Sequence, residues 1–141
     1  MVLGATVLVL VQAAIGMIVN LYVTIPARHP GAHPSDYFGG SLHSVAWAVA
    51  HGSPGLAIHA VLGLALAVMV ISVAVHSLKL RSRAIGAWSI LAGLLVIGAG
   101  FNGASFLDFN DDLSSLIMAL LTLGAVACYA VVLSLLAARP G

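Results

Sequence analysis

The sequence predicts an all-α, polytopic membrane protein that folds as a four-transmembrane-helix bundle. Of its 141 residues, 62% are hydrophobic and only 6% are charged, whereas soluble domains carry roughly 25% charged residues. The mean hydropathy is +1.16. Four apolar runs each reach the about 20 residues that a helix needs to cross the hydrocarbon core. We therefore expect one transmembrane domain over 1–141, with the lipid bilayer as its main surroundings.

The predicted spans cover about 2–25, 55–78, 84–107 and 112–137. The first run lacks the positive n-region and the cleavage site of a signal peptide, so it is interpreted as the first transmembrane helix. A single cysteine, Cys128, excludes an internal disulfide. The formal net charge of +1 argues against a nucleic-acid partner.

Basic residues predict the orientation of the chain. They occupy the connection between spans two and three and the end of span four: Lys79, Arg81, Arg83 and Arg139. Because cytoplasmic loops carry an excess of Lys and Arg, both termini are expected in the cytoplasm, in the plasma (inner) membrane of a prokaryote. The 26–54 loop and the acidic turn 108–112 then face outward, where the turn is expected to be solvated.

The 26–54 loop divides into two parts. Pro26, Pro30 and Pro34 disfavour helix at the residues before them, so 26–40 is expected to be extended or turned. From Ser41, a candidate N-cap, to His51 the pattern predicts a short interfacial helix. Its two predicted faces are the apolar Leu42, Val45, Ala46 and Val49, and the polar His43, Trp47 and His51.

Histidines are concentrated in this part of the chain. Five of the six lie between residues 29 and 59: His29, His33, His43, His51 and His59. Solvated or interfacial imidazole is the simplest interpretation of those in the loop. The alternative is that the loop binds copper or zinc, for which imidazole is a suitable ligand. Of these five, only His59 lies within a predicted span.

Four polar or ligating side chains, one from each span, are predicted at a similar depth. At about 1.5 Å per residue, His59 lies roughly 8 Å in from Pro54 and Met118 roughly 9 Å in from Asp112. Asn20 and Asn102 each lie six residues before Pro26 and Asp108, respectively. A layer of side chains on facing helices can hold a metal or a haem in a bundle. If no cofactor is bound, the amides of Asn20 and Asn102 are expected to make interhelical hydrogen bonds, and Met118 is expected to fill a gap in the packing.

Glycines recur along span three at intervals of seven: Gly86, Gly93 and Gly100. Small residues on one stripe favour close helix contact in lipid. The alternative interpretation is that the missing side chains leave room for a flat cofactor.

Two short segments resemble the haem A synthase family. The run from Val11 to Gly16 is similar to the Gln-x-x-x-Gly of a transmembrane helix in that family, and the run from Leu56 to Gly63 is similar to its helix with a haem-ligating histidine. The family is a duplicated four-helix bundle in which paired histidines bind haem, and this chain corresponds to one half. The resemblance implies that His59, Gly16 and Gly63 belong to a haem site.

The chain departs from that family in span four, which contains no histidine. Met118, or His43 or His51 from the loop, would then be the second axial ligand. The leading hypothesis is a small membrane protein that binds b-type haem and transfers electrons, alone as a homo-oligomer or in a larger respiratory-type membrane complex. The alternatives are a cofactor-free accessory subunit of such a complex and a copper or zinc binder. Whether the protein is an enzyme stays open.

Overall fold

A computed structural model describes residues 1–80 and 82–139, and these form five α-helices without a strand. The helices are α1 (Val2–Tyr22), α2 (Tyr37–His51), α3 (Pro54–Leu78), α4 (Arg83–Phe109) and α5 (Asp112–Ala137). Arg81, part of the predicted basic connection, lies outside the described residues.

The four long helices form the predicted bundle, and all four are long and apolar enough to cross a membrane. Around the bundle, α1 packs against α3 and α5, and α4 packs against the same two helices. Helices α3 and α5 therefore occupy opposite corners. The shorter α2 packs against α3 and α4 and covers one end of the bundle, which we call the α2 end.

Three of the four spans differ slightly from their predicted limits. Helix α1 ends at Tyr22 rather than near residue 25, and Val23 is already extended. The approach to Pro26 explains this, because proline disfavours helix at the preceding residue. Helix α4 is longer than predicted, from Arg83 to Phe109, and ends at Asn110 in the left-handed conformation.

The main hydrophobic core fills the half of the bundle opposite the α2 end. Val9, Val70, Ala92 and Tyr129 are buried there, one from each long helix. The backbone of α4 comes close to α3 at Gly93, where an added Cβ would lie 3.7 Å from the Val70 carbonyl oxygen. This half is closely packed by small and β-branched residues, as expected for helices that associate in lipid.

The prediction for α2 is wrong in its start, and the face that packs on the bundle is neither of the two faces named from the sequence. The helix begins at Tyr37, and the Asp36 carboxylate rather than Ser41 caps it by accepting a hydrogen bond from the Gly39 amide (2.9 Å). Its buried face consists of small residues: Gly40, Ser41, Ser44 and Ala48. Of the predicted apolar face, Leu42, Ala46 and Val49 are exposed and Val45 is half-buried. Small side chains allow α2 to approach the bundle closely, which a face of large side chains would prevent.

Asp108 also departs from its predicted position in a solvated turn. It lies within α4, and its side chain is 1% exposed. The Ser41 hydroxyl donates a 2.7 Å hydrogen bond to Asp108 Oδ2, and the Tyr37 hydroxyl lies 2.6 Å from Ser105 Oγ. The His33 amide donates to the Asp108 carbonyl oxygen (2.9 Å). Burial follows because α2 and the preceding loop pack over this end of α4.

The buried Ser41–Asp108 hydrogen bond should contribute measurably to stability. We expect Ser41→Ala to lower the free energy of unfolding by about 1–3 kcal/mol, the cost of leaving a buried acceptor without its donor. Thermal unfolding in detergent, followed by circular dichroism, measures the effect. Ser134→Ala is the matched control, because the exposed Ser134 donates only to Ala130 of its own helix (3.0 Å). Equal melting temperatures for the two variants would contradict this account.

Candidate functional site

A cavity of about 540 Å³ separates the packed core from the α2 end. Its volume is within the range of about 300–1,000 Å³ that is typical of ligand pockets. All five helices contribute to its walls, and the lining is almost entirely apolar. Polar side chains in it are few: Gln12, Asn20, Ser41, His59 and Thr122. This is the arrangement of an apolar binding site with a small number of orienting polar groups.

His59 of α3 is held against α1 by Gln12. The Gln12 side-chain amide donates a 2.9 Å hydrogen bond to the His59 carbonyl oxygen, and its nitrogen lies 3.4 Å from His59 Nε2. His59 Nδ1 is buried and has no hydrogen-bond partner, and the same is true of Gln12 Oε1. The imidazole is therefore positioned through its backbone and its contact with α1, while Nδ1 has no hydrogen-bond partner.

Two glycines make room for this polar pair. A Cβ added at Gly16 of α1 would lie 2.8 Å from His59 Cε1, and a Cβ added at Gly63 of α3 would lie 3.0 Å from Gln12 Nε2. Both glycines line the cavity. The structure therefore brings His59, Gly16 and Gly63 together. Because the imidazole lies so close to Gly16, a side chain at that position would displace it.

Met118 lines the cavity from α5, at the corner opposite the helix that carries His59. Its sulfur would lie 3.3 Å from a Cβ added at Gly103 of α4. Gly100, one turn earlier, also lines the cavity and has no atom within 4 Å of its added Cβ. The glycines of α4 thus differ in their surroundings: Gly93 allows helix contact, and Gly100 faces open space.

The two asparagines have different surroundings. Asn20 lines the cavity and accepts a 3.2 Å hydrogen bond from the Ser115 hydroxyl of α5, which is an interhelical contact. Asn102 donates to the Gly98 carbonyl oxygen of its own helix (2.9 Å) and is not among the lining residues. The layer predicted from depth therefore holds His59, Met118 and Asn20 in one cavity, with Asn102 beside it.

The loop histidines lie away from the cavity walls. His43 and His51 are exposed on α2, which lines the cavity through Phe38, Ser41, Leu42 and Val45 instead. His29 and His33 line a separate, smaller pocket of about 260 Å³. Within residues 1–80 and 82–139, three or more His, Cys, Asp or Glu side chains do not converge in a way that could hold a metal ion.

Gln12 is the site residue whose role the sequence reasoning missed. It stands in the quoted Gln-x-x-x-Gly segment, yet no contact to His59 was expected of it. An amide side chain in the middle of an otherwise apolar span is expensive unless it is paired. A single amide within an apolar span therefore indicates a buried polar partner, and this could have identified the role of Gln12.

Comparisons of the chain with models of known protein families, with curated proteins and with solved structures gave no match.

The fit between Gly16 and His59 can be tested by adding one methyl group. We expect Gly16→Ala to lower the thermal unfolding temperature and to shift the NMR signals of the His59 ring, because its Cβ would overlap the imidazole. Gly100→Ala is the control, since its Cβ meets open space in the same cavity. If Gly16→Ala behaves like Gly100→Ala, the imidazole does not occupy this position.

Proposed function

We propose that the cavity binds b-type haem, with His59 and Met118 as the axial ligands, and that the protein transfers electrons in the membrane. The observation that carries the proposal is the placement of these two side chains. They line one apolar cavity from opposite corners of the bundle. Imidazole and thioether are a ligand pair that haem iron accepts.

Three further properties of the cavity are compatible with haem. His59 Nδ1 is buried without a hydrogen-bond partner, so ligation of iron at this atom would break no hydrogen bond. Gly100 faces open space, while Gly16 and Gly103 give room to the His59 ring and the Met118 sulfur. None of the lining residues is Lys or Arg. The carboxylates of a bound haem would therefore need to reach water or lipid headgroups beyond the cavity.

A haem held by histidine and methionine supplies reversible one-electron transfer, and methionine ligation raises its reduction potential. The residues of this chain have three tasks. Gln12 fixes the position of His59 through the His59 carbonyl oxygen. The apolar walls exclude water. Helix α2 closes one end of the cavity with Phe38, Ser41 and Leu42.

The proposal includes a location. We place the α2 end on the outer side of a prokaryotic plasma membrane, because Lys79 and Arg83 lie at the opposite end of the bundle and basic residues favour the cytoplasmic side.

The two histidines on α2, His43 and His51, are the alternative second ligands. A cofactor-free accessory subunit is the competing function, and its signature is a colourless protein.

The absorption spectrum of the purified protein tests the first ligand. After expression with ample haem we expect a Soret band that is lost or strongly shifted in His59→Ala, because the only histidine in the cavity wall is removed. His76→Ala is the matched control, since His76 lies on the same helix but is exposed at its other end. A colourless wild-type protein would contradict the proposal and favour the accessory subunit.

The second ligand is tested by Met118→Leu, which retains the volume of the side chain but removes the sulfur. We expect the haem to stay bound with an altered spectrum and a lower reduction potential, because thioether ligation is lost. Met69→Leu is the control, since Met69 packs against the core outside the cavity. If Met118→Leu has no effect and His43→Ala or His51→Ala changes the spectrum, the second ligand is a histidine of α2.

A further inference from the structure

His29 has an arrangement of hydrogen bonds that depends on its charge. Its Nδ1 lies 3.0 Å from the Pro30 carbonyl oxygen, and its Nε2 lies 3.0 Å from the Leu107 carbonyl oxygen. A carbonyl oxygen only accepts hydrogen bonds. A neutral imidazole has one N–H, whereas the imidazolium ion has two. Both contacts are therefore hydrogen bonds only when the ring is protonated.

The same ring stacks on α2. The centroids of His29 and Trp47 are 4.4 Å apart, and the ring planes differ by 17°. A cation over the face of an indole is attracted by the negative charge of its π system. Protonation thus strengthens this contact together with the two hydrogen bonds. Through them, His29 connects the loop before α2, the last turn of α4 and the middle of α2.

These contacts lie where α2 closes the cavity. Trp47 packs against a cluster that includes Leu56 and Leu107, while Leu42 and Val45 of the same helix line the cavity. Moving Trp47 away from His29 would move the covering residues with it, because α2 is one continuous helix from Tyr37 to His51. The state of His29 is therefore coupled to the closure of the cavity.

We propose that His29 is a proton-dependent latch that holds α2 closed over the cavity. When the ring carries two protons, all its contacts are made. When the ring loses one of these protons at higher pH, one carbonyl oxygen is left without a donor, the attraction to Trp47 weakens, and α2 is held less tightly. This inference does not depend on the nature of the ligand in the cavity.

Several other ionisable groups surround the latch. His33 and Asp108 line the small pocket that also contains His29, and Arg28 precedes it in the chain. Helix α2 contributes the uncharged Trp47, with His43 and His51 one turn before and after it on the same face. Asp108 is buried beneath α2, its Oδ2 accepts from Ser41 and its Oδ1 has no partner. A pH response of Asp108 would persist in His29→Gln, and responses of the other histidines would disappear in their own variants.

Trp47 fluorescence in detergent or nanodiscs measures the latch directly. Trp88→Phe leaves Trp47 as the single indole, and a protonated imidazole in contact with an indole quenches its emission. We expect emission to rise between about pH 5 and pH 8, and the rise to be absent when His29→Gln is added. His33→Gln, His43→Gln and His51→Gln should each retain it. A rise that persists in His29→Gln, or disappears in another of these variants, would overturn the proposal.

Closure of α2 is measured by labelling a buried position. In a Cys128→Ala background, Ser44→Cys lies on the buried face of α2 and Ala50→Cys on its exposed face. The ratio of their maleimide labelling rates removes the common effect of pH on thiol reactivity. We expect this ratio to increase several-fold between about pH 5 and pH 8 with His29 present, and to stay constant in His29→Gln. A constant ratio in both would exclude a latch.

A direct observation of the ring does not rely on the folding of any variant. In the wild-type protein labelled with ¹⁵N-histidine, we expect both His29 ring nitrogens to carry a proton at the acidic end of this range, each with a hydrogen bond to a carbonyl. Circular dichroism of His29→Gln at both pH extremes shows whether the helices are intact. A neutral His29 ring at acidic pH would overturn the proposal whatever the variants do.

Discussion

The structure depends on how closely its helices can approach one another in lipid. The hydrophobic effect does not drive helices together there, so packing relies on direct contact and on small residues. Along one row of glycines, helix α4 has both a close contact with a neighbouring helix and an open space. At Gly93 its backbone comes close to Val70 of α3, whereas at Gly100 no atom lies within 4 Å of the position of a Cβ. The bundle is closed where neighbours fill the space beside the glycines and contains a cavity where they do not.

Helix α2, which lies between two spans, also depends on small residues for its close approach to the bundle. Its bundle-facing residues are small, and its larger apolar side chains, such as Leu42 and Phe38, are exposed. Close approach brings the Ser41 hydroxyl to the Asp108 carboxylate and the Tyr37 hydroxyl to Ser105. Buried polar groups need such partners, because an unpaired one costs the full loss of its hydration. Small residues and hydrogen bonds therefore act together in positioning the cover of the cavity.

The four spans could be predicted from the sequence because hydropathy over about 20 residues needs no knowledge of tertiary contacts. The side of α2 that packs against the bundle could not be predicted. In a soluble protein the apolar face is buried, but beside lipid an apolar face can point outward, so the pattern of Ala46 and Val49 does not determine which side packs. Depth along the helices predicted His59, Met118 and Asn20 in one cavity. It did not predict that Asn102 would bond to its own helix, because depth determines the level of a side chain and not its direction around the axis.

The polar atoms in the cavity limit what it can bind. His59 Nδ1 and Gln12 Oε1 are both buried without partners, in walls that are otherwise apolar. An unpaired buried polar atom costs about 1–3 kcal/mol, so a ligand that reached and satisfied these atoms would recover free energy in addition to burying its apolar surface. An apolar molecule without a suitable group leaves the cost in place, and a strongly polar molecule loses its own hydration against the apolar walls. The cavity therefore favours a largely apolar ligand with one group, a metal ion or a hydrogen-bonding atom, that can reach His59.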